Sequence, residues 1–267
     1  MEIVESFLCG KRPDQNLCED GFVVTPHFAA VVDGSTSKVP GRNVGREAMR
    51  TVTAALKRLD PEADKEEMLR TLTACLAVKN IPEAAAHAEL RLTCSAVIFS
   101  AFRKVVWMVG DCQARWSGQT HTNAKLVDRI LTEARCGAVR YLLGHGHTLD
   151  DIARHDLGRA AILDALREQT NFQNVADSRN PYRYAVLDGT PVEKALVLEL
   201  PVEGTRELIL ASDGYPLLCD SLRESENYLQ HLLRLDPLCI NENAATKCLV
   251  AGNLSFDDRC FLKIALP

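Results

Sequence analysis

Acidic residues stand at five places where an apolar, strand-like run gives way to a turn: Glu19-Asp20-Gly21, Asp33-Gly34, Gly110-Asp111, Asp213-Gly214 and Asp257-Asp258. Three of these acids directly follow such a run, Phe28 to Val32 before Asp33, Val105 to Val109 before Gly110-Asp111, and Leu208 to Ala211 before Ser212-Asp213. Two unit charges about 4 Å apart repel by roughly 4 kcal/mol at an effective dielectric near 20. Carboxylates gathered at one sheet edge therefore need a cation among them. With oxygen ligands only, and no histidine in the motifs, the chemistry suits a hard ion, magnesium or manganese, rather than zinc.

The elements that would carry these acids are legible as hydrophobic patterns. Ile3 to Cys9 and Gly21 to Val32 read as strands, and apolar residues at helical spacing from Gly41 to Leu59 predict a helix. A second helix follows Pro61, opened by the capping pattern Asp64-x-x-Glu67. Thr93 to Phe102 and Val105 to Val109 form two β-rich runs, a hairpin turning at Arg103-Lys104. Asn123 to Leu143 and Thr148 to Arg167 read as two helices of an insertion at about 120–180. Tyr182 to Leu187, Ala195 to Leu200 and Glu207 to Ala211 read as strands of a meander, with a late helix after the cap Ser221-x-x-Glu224 and a last strand from Cys260 to Leu266. Acids spread from Glu19 to Asp258 can meet only if both chain ends share one fold, so one domain spanning 1–267 is expected.

In order and in strand context, Glu19-Asp20, Asp33-Gly34, Gly110-Asp111-Cys112, Ser212-Asp213-Gly214 and Asp257-Asp258 resemble the signatures of the metal-dependent protein phosphatases of type 2C. The resemblance runs from about Gln15 to Leu266 and leaves Gln119 to Pro181 poorly covered. It implies an α+β fold, a four-layer αββα sandwich of two antiparallel sheets covered by helices. It also implies two magnesium or manganese ions, with Asp33 bridging them and the Gly34 carbonyl as a further ligand. By the same resemblance Asp213 and Asp257 complete the first ion, Glu19 and Asp20 hold the second, and Asp111 helps to bind a third. Asp33, Asp213 and Asp257 would be the catalytic acids. Two such ions acidify a bridging water and clamp phosphoryl oxygens for in-line hydrolysis of a phosphomonoester. The implied substrate is phosphoserine or phosphothreonine in proteins. Two other readings stand beside it: a phosphatase for a small phosphoester, and a catalytically weak pseudophosphatase that binds phosphoproteins.

The sequence departs from that family at two functional positions. Asp33-Gly34 is followed by Ser35-Thr36-Ser37-Lys38, without the histidine that can protonate the leaving group. Gln15 stands where an arginine often grips the substrate phosphate, which leaves Arg12 and Lys38 as substitutes. His145, His147 and His155 lack a third partner at metal-site spacing. Trp107 reads as core rather than as a substrate platform, and Cys112 as a structural thiol.

A net charge of -5, with dispersed lysines and arginines, argues against nucleic acid as a partner. No apolar run is long enough to span a bilayer, and Met1 to Leu8, with Glu2 and Glu5, does not read as a signal peptide. Ten cysteines without a Cys-x-x-Cys pair, several inside apolar stretches, fit a reducing cytoplasm.

Overall fold

Antiparallel pairing organises the computed structural model, which describes residues 1–39 and 43–266, into two five-stranded sheets. One sheet runs β1 (Glu2–Cys9), β10 (Arg259–Ala265), β9 (Glu207–Ala211), β6 (Gln113–Trp116) and β7 (Gln119–Thr122). The other runs β2 (Asp20–Val24), β3 (Phe28–Gly34), β4 (Cys94–Ser100), β5 (Val105–Val109) and β8 (Leu198–Pro201). Helices α1 (Val44–Leu56) and α2 (Lys65–Ala77) follow β3, and α7 (Leu222–Leu235) precedes β10. Between β7 and β8 lie α3 (Leu126–Gly144), α4 (Leu149–His155), α5 (Leu157–Ala161) and α6 (Leu163–Glu168).

The period of two along each strand decides which layer a side chain serves. Ala29 and Val31 of β3 and Val106 and Met108 of β5 pack between the sheets against Leu208, Leu210, Leu262 and Ile264. Their neighbours Phe28, Ala30, Val32 and Trp107 face the other way, onto Ala48 and Val52 of α1 and Met68 and Leu72 of α2. Both faces of β3 and β5 are thus buried, which is why they read as unbroken apolar runs. On the far side of the first sheet, Phe7, Ile209 and Phe261 meet Tyr215, Leu218 and Leu222 at the start of α7. The layers are helix, sheet, sheet, helix, the αββα architecture expected.

Several local expectations differ. Gly21 to Val32 is a hairpin rather than one strand, because Thr25 Oγ1 accepts the Phe28 amide at 2.9 Å and Pro26 has no amide to donate. The turn between β4 and β5 spans Ala101 to Lys104, with Lys104 at φ 55°. Tyr182 to Leu187 makes only isolated bridges, Tyr184 with Gln173 and Leu187 with Cys94. β8 pairs with β5 and β9 with β10, so the two lie in different sheets and form no meander; periodicity reports burial but not sheet membership. The helix expected over Thr148 to Arg167 is broken at Asp156, which sits at φ 43° with its carboxylate accepting the Arg159 amide at 3.0 Å. The helix expected from Gly41 begins, within the described residues, at Val44. Among the described residues no helix is long and apolar enough to cross a membrane.

Candidate active site

Antiparallel neighbours alternate their ends, so one edge of the sandwich collects the finish of β1, β3, β5 and β9 and the start of β2, β4, β6 and β10. Asp20 opens β2 and is the cross-strand partner of Asp33 near the end of β3, which in turn faces Ser95 of β4. Asp111 lies just past β5, Asp213 just past β9, and Asp257-Asp258 just before β10. Asp33, Gly34, Asp111, Asp213 and Asp257 line a single cleft of about 400 Å³. Glu19 and Asp20 lie beneath it, 5% and 2% exposed.

The glycines beside these acids admit backbone, not only ligand. A Cβ on Gly34 would overlap the carbonyl of Gly45 in α1, and one on Gly214 would overlap the carbonyl oxygen of Asp258. Gly214→Ala is expected to cost about 1–3 kcal/mol of stability by forcing β9 from the start of β10. A urea-unfolding midpoint equal to that of the parent chain would contradict this packing.

Two charge environments divide the cleft. On its floor, Asp20, Asp33 and Asp213 crowd together with little compensation. Burial, with the Asp258 and Asp213 carboxylates nearby, pushes the Asp20 carboxyl up to about 7, against the Ser212 hydrogen bond and Lys11. Burial, with Asp20, Asp213 and Asp111 around it, holds Asp33 well above the usual carboxylate range. Among the described residues, Asp20 Oδ2 and Asp213 Oδ1 are buried without a hydrogen-bond partner. Such desolvated, mutually repelling oxygens fit a hard dication, and among the described residues no histidine lines the cleft to favour zinc. Among the described residues, no three carboxylates, imidazoles or thiols already converge as a finished coordination shell.

Around this floor the acids are matched by basic residues. Lys125 donates to Asp111 at 2.7 Å and Ser95 Oγ donates to its other oxygen at 2.7 Å. Burial alone would raise Asp111; these donors outweigh it and hold the carboxyl down to about 2. Asp257, one of the expected ligands, is engaged by Lys11 at 3.2 Å and by Lys247 on its second oxygen. Asp258 turns inward and accepts the Lys11 and Glu19 amides at 2.7 and 3.2 Å. The same cleft is lined by Arg12, Lys38, Arg159 and, against Asp257, Lys247. There, burial together with Arg159 and Lys125 lowers the Lys38 ammonium to about 8.

Arg12 and Lys38, read from the sequence as phosphate contacts, both line the cleft; Lys11, Lys125, Arg159 and Lys247 were missed. No short motif marks these four, since their role comes from where the fold sets them. Cys112 is fully buried in the core between the sheets, and burial with the surrounding carboxylates holds its thiol well above the usual range. His145 stacks on Tyr141 at 3.9 Å in α3 and takes no part in the cleft.

No protein-family model and no curated protein matches the sequence. Among solved structures, the Mycobacterium tuberculosis serine/threonine phosphatase PstP is similar over 98% of this chain and 97% of that chain, at 17% identity and a TM-score of 0.46. The serine/threonine phosphatase Stp1 from Staphylococcus aureus is similar over 100% of this chain and 96% of that chain, at 15% identity and a TM-score of 0.48. RsbX in complex with magnesium is similar over 98% of this chain and 94% of that chain, at 12% identity and a TM-score of 0.46.

Proposed function

We propose that this chain is a magnesium- or manganese-dependent phosphomonoester hydrolase whose substrates are phosphoserine and phosphothreonine in proteins. One observation carries the reading: Asp20 and Asp213, whose buried oxygens have no partner among the described residues, meet Asp33 and several basic side chains at one cleft. Asp20, Asp33 and Asp213 are the residues that would hold the divalent ion. When bound, that ion supplies an acidified water and a clamp on phosphoryl oxygens. Lys38, Arg159 and Lys247 supply positive charge for the phosphoryl group, and Arg12 at the rim extends it. A dianion beside these side chains also offsets the mutual repulsion of Lys38 and Arg159. Asp111, pinned by Ser95 and Lys125, fixes the insertion's first helix against the sandwich and bounds the cleft.

The test is phosphate release from phosphoserine and phosphothreonine peptides, from small phosphometabolites and from p-nitrophenyl phosphate, with manganese, with magnesium and with chelator. Turnover of the peptides that chelation abolishes is the expected result. A preference for the metabolites moves the substrate to small phosphoesters. Binding of phosphopeptides without turnover under any ion between pH 6 and 9 overturns the enzymatic reading in favour of a phosphoprotein-binding pseudophosphatase. That second reading has its own support in the lysines that already neutralise Glu19 and Asp257.

A further inference from the structure

Lys11 lies two residues past the end of β1 and is held on both sides of its backbone, its amide donating to Asp258 Oδ1 at 2.7 Å and its carbonyl accepting the Leu254 amide at 2.8 Å. This leaves its side chain one course, inward. Its Nζ lies 3.2 Å from Asp257 Oδ1, 3.2 Å from Asp258 Oδ2 and 3.6 Å from Glu19 Oε2, with Thr36 Oγ1 at 2.9 Å. Thr36 in turn donates to Glu19 Oε2 at 2.6 Å. An ammonium has three protons to give, and here Asp257, Asp258 and Thr36 stand around it at hydrogen-bond distance. The side chain is only 10% exposed. With Lys247 on the remaining oxygen of Asp257, both oxygens of that residue already face an ammonium.

We infer that the ammonium of Lys11 is a built-in cation that takes the place of a second divalent ion, so that the cleft binds one magnesium or manganese ion per chain. The inference rests on the divalent-ion reading given above. Its charge balance is simple. Glu19, Asp257 and Asp258 carry three negative charges against the two positive charges of Lys11 and Lys247, while Asp20, Asp33 and Asp213 carry up to three without an ion-pair partner among the described residues. A single dication on the floor leaves both halves equally charged. Any further ion that drew on Glu19 or Asp257 would first have to expel an ammonium that three carboxylates hold. A single ion would supply the clamp on the phosphoryl group without the second positive centre, and Lys11 would leave one positive charge beside Glu19 and Asp257.

The experiment counts ions. Metal-free full-length chain is titrated with manganese by equilibrium dialysis, and the bound ion is read by electron paramagnetic resonance. The wild-type chain is expected to take up one manganese per chain with the six-line signal of an isolated ion. Lys11→Gln, its fold checked by circular dichroism, is expected to take up two, with the broadened signal of a coupled pair. Two coupled ions in the wild type, or a count that stays at one in a folded Lys11→Gln chain, overturn the inference while leaving the divalent-ion reading intact. No bound manganese in the wild type defeats that reading and this inference with it. If Lys11→Gln does not fold, the wild-type count and line shape decide alone.

Discussion

Asp33→Asn is expected to lower divalent-ion-dependent turnover by on the order of a thousandfold while making the metal-free chain more resistant to unfolding. The two effects have one cause. Asp33 sits opposite Asp20 in the β2–β3 ladder and within reach of Asp213 and Asp111. Asparagine keeps its shape and removes the group whose ionisation beside them is disfavoured. Each pH unit by which a buried carboxyl is held above its unfolded value costs about 1.4 kcal/mol once it ionises. The function of the floor is therefore stored as instability of the empty site, as is common where charges await a ligand. Thermal melts in chelator and initial rates in manganese, measured on the same preparations, test both halves. A variant that loses activity but melts below the wild type in chelator removes the argument from repulsion.

The pH dependence follows from the same floor. Asp20 lies at about 7 in the folded chain against a reference of 3.8. Between those values the folded state binds more protons than the unfolded one, so stability contributed by the Asp20 proton is present at low pH and lost as pH rises toward 7. Asp111, held at about 2, acts in the opposite sense, and its contribution is lost only as pH falls below the ordinary carboxylate range. The difference between wild type and Asp20→Asn isolates the first: it is expected to widen from about pH 4 to pH 7 in chelator and to level off above. Saturating manganese should reverse the order of the two chains near neutrality, because the ion binds the folded wild type and stabilises it by mass action.

How far the sequence could carry these conclusions depended on which residues announce themselves. Asp33, Asp111 and Asp213 did, because each ends an apolar run whose both-sided burial left an unbroken pattern, at 28–32, 105–109 and 208–211. Their convergence then needed only that antiparallel strands alternate their ends. The basic residues did not. Lys11 reads as one more polar residue past a strand, beside Arg12, and its inward course depends on Asp258 gripping its amide from 247 positions away. Arg159 and Lys247 sit in segments without a motif, and the kink at Asp156 that aims Arg159 breaks what hydrophobic spacing presents as a continuous helix. β8 was legible as a strand but not as a member of the second sheet, since alternation specifies a buried face and not the neighbour that buries it.

Arg135 shows the same limit and carries the second large expectation. On α3 it occupies a helical position that composition assigns to solvent, yet it is 0% exposed. Its guanidinium reaches Asp156 Oδ1 through Nη2 at 3.0 Å and Nε at 3.3 Å, while Nη1 donates to the carbonyls of Leu238, Cys239 and Ala245 at 3.0, 3.2 and 3.2 Å. Asp156 accepts the Cys248 amide at 2.9 Å on its second oxygen. One buried pair therefore ties α3, the α4–α5 kink and the 238–248 loop into a unit that carries Arg159 and Lys247 to the cleft wall. Arg135→Met leaves a buried carboxylate and three carbonyls without their donor, a loss of about 3–5 kcal/mol. The floor, by contrast, hangs from the strands of the sandwich and does not use this pair. Arg135→Met is therefore expected to release amide-exchange protection across 238–248 and to raise KM for phosphopeptides at least tenfold. One manganese should still bind at Asp33 and Asp213 with little change in affinity. If exchange protection of that loop is unaltered, the guanidinium is not its anchor. If manganese binding falls in parallel with phosphopeptide affinity, wall and floor are one cooperative unit and not the two this division of the cleft requires.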